Sequence, residues 1–106
     1  MARKALQAMT EKTQVLDANQ RPSLPRGVRL RRDEVRGRTV LLSPERTMAL
    51  EETAIAIVSR IDGRRTLAEI IDGLAADYKA PRDVIAVDVE AFLQQLLERR
   101  MLEVSG

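Results

Sequence analysis

The chain has 106 residues, 44% of them hydrophobic and 32% charged, which fits one soluble domain with a single modest core. It contains no cysteine and no histidine, which removes disulfides, thiolate nucleophiles, the usual zinc ligands and the commonest acid–base side chain near neutral pH. The net charge of +2 is unevenly spread: residues 24–46 hold seven arginines against three carboxylates, whereas residues 47–106 hold 7 basic and 11 acidic groups. A nucleic-acid-binding domain usually carries a basic excess; this one is polarised instead.

Residues 1–23 show weak periodicity and end in Arg21-Pro22-Ser23, so they read as a flexible tail or fusion linker, with transient helix around Arg3–Met9. The domain is expected over residues 24–106. No apolar run approaches the ~20 residues of a membrane span, and no apolar stretch near the N-terminus resembles a secretion signal. A cytoplasmic location with no membrane partner is therefore expected.

Gly27 to Arg31 alternates apolar and charged residues, as a half-buried strand does. Asp33 and Glu34 suit a turn, and Val35 to Leu42 reads as a second extended stretch interrupted by Gly37. Ser43-Pro44-Glu45 is a turn, because proline cannot extend a sheet ladder. Arg46-Thr47-Met48-Ala49-Leu50 is the candidate third strand.

Helices follow. The first is expected from Glu51 to Ile61, with Ala54, Ile57, Val58 and Ile61 on one face and Asp62-Gly63 ending it. The second opens at Thr66 with Glu69 three residues on, a capping box, and carries the apolar stripe Leu67, Ile70, Ile71, Leu74 and Tyr78. The third has Pro81 in its first turn and runs to about Arg100, with Met101–Val104 a short extended end. The fold class is α+β: a three-stranded antiparallel sheet followed by a three-helix bundle.

The third helix is the most informative. Ile85, Val89, Phe92, Leu93 and Leu96 form one apolar stripe, assigned to the core. Val84, Val87 and Ala91 form a second strip on roughly the opposite side, with Asp88 at its edge. Such a strip is covered by a second copy or by the rest of the domain, or it forms one wall of a groove for a partner. The third strand is the candidate opposite wall: a sheet edge can accept an added peptide strand, although Pro44 and Arg46 also suit an edge that is merely blunted. The arginines at 26, 29, 31, 32, 36 and 38 match a solvated strand face or a site for an acidic partner; no aromatic stands among them to stack bases. Glu51, Glu52, Asp88 and Glu90 have no metal-ligand spacing, and neither a phosphate loop nor a nucleophile motif is present. No catalytic residue, metal or cofactor is expected.

Leu42-Ser43-Pro44-Glu45, Leu50, Thr53-Ala54, Ile61-Asp62-Gly63, Arg65-Thr66, Glu69-Ile70, Leu74, Tyr78, Asp88-Val89, Phe92-Leu93 and Leu96 occur in an order and spacing that resembles the coenzyme PQQ synthesis protein D (PqqD) family, over about residues 24–104. One departure is Glu51, where the family often has asparagine. The resemblance implies a winged helix-turn-helix-like fold and the role of a peptide chaperone in pyrroloquinoline quinone biosynthesis. Such a chaperone, a recognition element for ribosomally made and modified peptides, binds the precursor peptide PqqA and presents it to the radical SAM enzyme PqqE. Some members are fused to the enzyme PqqC, which the linker-like start would suit. In the wider class the leader peptide adds as a strand beside the third strand and against the third helix. On this sequence those contacts fall on Arg46, Thr47, Met48, Ala49 and Leu50 and on Val84, Val87, Asp88 and Ala91. The alternatives are a winged-helix DNA-binding protein and a homo-oligomeric interaction module.

Overall fold

The computed structural model describes residues 16–105; the helix expected around Arg3–Met9 lies outside them. Three strands, β2 (Arg29–Asp33), β3 (Arg38–Leu42) and β4 (Thr47–Leu50), pair antiparallel in the order β2-β3-β4. Three helices follow: α1 (Glu52–Ser59), α2 (Leu67–Tyr78) and α3 (Arg82–Glu98). A second, two-stranded sheet joins β1 (Arg21–Ser23) to β5 (Glu103–Ser105).

The strand register explains which face is buried. Leu30, Leu41 and Met48 stand opposite one another across the sheet, as do Arg32, Thr39 and Leu50, and this face packs on the helices. The other face carries Arg29, Leu42 and Thr47 in one row and Arg31, Val40 and Ala49 in the next. Val40 is buried yet stands outside the core cluster, as expected where arginine stems cover an apolar side chain.

The second strand is shorter than the expected Val35–Leu42. The Asp33 carboxylate accepts the Arg36 N–H at 3.2 Å, and Gly37 takes a φ of +64° that side chains resist, so residues 34–37 become the hairpin turn. Val35 is left at its tip, 93% exposed.

The capping box of α2 is present: the Thr66 hydroxyl accepts the Glu69 N–H at 3.1 Å, and the Glu69 carboxylate accepts the Thr66 N–H at 2.8 Å. Leu67, Ile70, Ile71 and Leu74 are buried as the stripe predicts, whereas Tyr78 is exposed. From α3 the core takes Val89, Leu93 and Leu96, with Ile85 and Phe92 only half-buried. Helix α1 ends at Ser59, two residues earlier than expected, and Ile61 still packs into the core.

The reading of residues 1–23 as a tail is corrected at its end, because the chain is held from Ala18 onward. The carbonyls of Ala18, Gln20 and Pro22 accept the N–H groups of Ala68, Leu67 and Gly63 at 3.0, 2.9 and 3.0 Å. Pro22 is fully buried and pairs with Val104. A proline in an edge strand costs no ladder bond on the side where only its carbonyl is used, which is why a proline-containing segment that reads as linker can be a strand.

Candidate functional site

Because β2 lies at one edge of the three-stranded sheet and β3 in the middle, β4 has one strand neighbour among the described residues and its other edge is open. Hydrogen-bonded and non-hydrogen-bonded pairs alternate along an antiparallel ladder. The Ser43 N–H donates to the Arg46 carbonyl at 2.9 Å, which makes that pair hydrogen-bonded, and the register then makes Leu41–Met48 and Thr39–Leu50 hydrogen-bonded as well. The main-chain groups of Thr47 and Ala49 are thereby turned to the open edge.

Beside this edge lies a cleft of about 500 Å³. Met48, Ala49 and Leu50 form its strand wall, Thr53, Ala54 and Ile57 of α1 its floor, and Asp88, Phe92, Gln95 and Arg99 of α3 its opposite wall, with Glu51 where β4 gives way to α1. The centre is apolar and the ends are charged. The four α3 residues recur at i, i+4, i+7 and i+11, so they share one stripe, within about 60° around the axis at 100° per residue.

Six of the nine contact positions expected from sequence stand here, four in the cleft and two in the depression beside it. Met48, Ala49, Leu50 and Asp88 line the cleft itself, while Arg46 and Thr47 line a smaller depression that continues it toward Arg99 and Met101. Val84, Val87 and Ala91 do not line the cleft. Helical geometry puts them at about 40°, 100° and 60° from Asp88 on the solvent side, so they continue the α3 wall outward as a lip. Val84 and Val87 are 53% and 66% exposed. Phe92, assigned to the core from its stripe, instead divides its ring between core and cleft. The spacing from Asp88 through Phe92 and Gln95 to Arg99 is the signal that would have found this wall. The floor from α1 carries no such signal, since Ala54 and Ile57 are ordinary apolar-face residues.

Asp33, Asp62, Asp72 and Asp77 each meet an arginine. Among the described residues, Arg46, Glu51, Asp88 and Arg99 have no ion-pair partner. No group of three or more His, Cys, Asp or Glu residues is placed to hold a metal among the described residues, and no helix there is long and apolar enough to cross a membrane.

An open sheet edge with an apolar cleft alongside it, on an α+β frame, is the geometry of a peptide-binding module. The pattern of the family described as "Coenzyme PQQ synthesis protein D (PqqD)" matches residues 38–102, and the chain belongs to that family. It is 48% identical over 96 residues to the PqqA binding protein of Rhizobium meliloti, covering 91% of this chain and 98% of that one. It is 41% identical to the PqqD portion of Methylobacterium extorquens PqqCD, whose solution structure represents a functional, stand-alone recognition element for ribosomally synthesised and modified peptides; the TM-score is 0.73, covering 87% of this chain and 98% of that one. A bifunctional coenzyme PQQ synthesis protein C/D of Methylorubrum extorquens is 46% identical over 82 residues, which are 77% of this chain and 22% of that protein.

Proposed function

We propose that this chain is a peptide chaperone in pyrroloquinoline quinone biosynthesis. It captures the precursor peptide PqqA as an added strand on β4 and presents it to the radical SAM enzyme PqqE. The observation that carries the reading is the open β4 edge running alongside the apolar cleft. Main-chain bonds to Thr47 and Ala49 supply affinity, and the Ala54–Ile57–Phe92 surface receives every second side chain of the peptide. Arg46 to Leu50, Asp88 and the lip of Val84, Val87 and Ala91 are its contacts. The relatives named for PqqA binding support this identity of the peptide, and the C/D fusion supports action beside PqqC. The chain makes or breaks no covalent bond in this role; it raises the local concentration of the peptide at the enzyme. The site of action is the cytoplasm, where a ribosomally made precursor is released. The exposed carboxylates of α2 and α3, among them Asp72, Asp77, Asp83, Asp88 and Glu90, would repel a nucleic-acid duplex, which argues against the winged-helix DNA-binding alternative.

Titration of the isotopically labelled protein with PqqA, followed by NMR, tests the reading. Saturable shifts are expected at residues 46–54 and 84–99. Phe92→Ala, which empties the wall of the cleft, is expected to weaken binding by about 5- to 30-fold, or about 1–2 kcal/mol. Val87→Asp at the lip should cost less. A folded protein whose spectrum does not respond to PqqA would refute the proposal, and a third component, PqqE, then tests presentation by its effect on the same resonances.

A further inference from the structure

The charges at the cleft are arranged by end. Arg46 and Glu51 flank strand β4 (Thr47–Leu50), and α3 runs past it from Asp88 to its C-cap Arg99. Arg99 shares a depression with Arg46, Thr47 and Met48, which fixes the C-terminal end of α3 beside the start of β4. Asp88 lies about 16 Å further back along the helix at 1.5 Å per residue, toward the Leu50–Glu51 end of the same cleft. One end is therefore doubly basic and the other doubly acidic, with Met48, Ala54, Ile57 and Phe92 between them. None of the four charged groups has an ion-pair partner among the described residues, so each is available to a charge on a bound peptide.

A strand advances about 3.3 Å per residue, so the two charged ends are about five strand residues apart. We infer that the cleft selects its peptide by charge order. The preferred occupant is an extended segment with alternate apolar side chains on the cleft face, an acidic residue reaching the Arg46/Arg99 end and a basic residue reaching the Glu51/Asp88 end. Main-chain pairing along an edge is indifferent to sequence and allows slippage by two residues at little cost. A pair of opposite charges at fixed separation opposes that slippage, because either shift moves a like charge toward a like charge. The arrangement thus sets the register and direction of the captured strand, which determines how far along the enzyme its remaining residues reach. The inference rests on peptide capture in this cleft.

Two synthetic peptides test it. They share one alternating apolar centre and carry Lys and Glu about four residues apart, an even spacing that turns both to the cleft face, in one order in the first and the reverse order in the second. Wild-type protein is expected to prefer one by about 3- to 10-fold in Kd, the size that two partly exposed ion pairs supply, and the preference should shrink at high salt. The double variant Asp88→Lys/Arg99→Glu leaves one charge of each sign at either end and should abolish the preference. The pair Arg46→Glu/Glu51→Lys repeats the test on the opposite wall if the first variant is poorly folded. Equal binding of the two peptides to the wild type, or a preference unchanged by both double variants, would overturn charge selection while PqqA binding still stood. Failure of PqqA itself to bind would remove peptide capture and charge selection together.

Discussion

Asp62 shows how one side chain secures the turn on which the second half of the molecule depends. Its Oδ1 accepts the N–H groups of Arg64 and Arg65, both at 2.9 Å, and its Oδ2 lies 3.3 Å from the Arg65 guanidinium. The Arg65 N–H, then the Arg64 N–H, then the Arg65 charge hold the carboxyl below the ordinary aspartate value of 3.8. Asp33 is held low in the same direction, chiefly by the Arg36 N–H. A native value below the unfolded one gives stability that is fully present above pH 3.8 and is lost as pH falls through the lower native value. Asp62→Asn keeps an acceptor and removes the titration. Its urea-unfolding midpoint should lie below that of the wild type at neutral pH, and the gap should close as pH drops beneath 3.8. A gap independent of pH would mean that the charge plays no part. At Gly73, inside α2, an added Cβ would meet only the Arg60 guanidinium that reaches Asp77, so a substitution there would displace that ion pair.

Elements with strong local chemistry were legible in the sequence, and those that depend on distant partners were not. Helix α2 was readable because Thr66 and Glu69 cap it and four apolar residues repeat on one face. The β2–β3–β4 order was readable from alternation and from Pro44. Helix α3 was readable in extent, but Phe92 was assigned to the core because a stripe does not reveal where a neighbouring element stops covering it. Strand β1 was unreadable because its partners, Val104 and the Gly63–Ala68 segment, are far away in sequence. Helix α1 exposes a weakness that the sequence did signal. Its N-cap, Glu51, has the extended backbone of a capping residue (φ −89°, ψ 169°), yet its side chain caps nothing. Asp, Asn or Ser is preferred at such a position because the shorter arm reaches the free N–H groups. Glu51→Asp retains the charge at the cleft and should stabilise the protein by about 0.5–1 kcal/mol, raising Tm by about 2–8 °C. An unchanged Tm would show that water already satisfies these donors at no cost.

On the scale of the whole molecule, the two sheets divide the work. The three-stranded sheet leaves the β4 edge open, and the two-stranded sheet ties the start of the described chain to its end. The second function is the one that a boundary at Leu24 would cut away. A chain beginning at Leu24 lacks the carbonyls of Ala18, Gln20 and Pro22, and so leaves the N–H groups of Ala68, Leu67 and Gly63 at the entry to α2 to water. It also loses the buried Pro22 ring and the strand that covers Val104. Each main-chain bond contributes about 0.5–1.5 kcal/mol net, so the three bonds alone are worth about 1.5–4.5 kcal/mol, a large share of the stability of a domain this small. A chain starting at Leu24 should therefore melt well below one starting at Leu16. The cleft is built from β4, α1 and α3, none of which touches β1 through a described main-chain bond. At a temperature where both chains are folded, peptide affinity should consequently be the same. Equal melting temperatures would show that β1 is bound too weakly to matter. Reduced affinity in the folded short chain would show instead that the two sheets are coupled through the core.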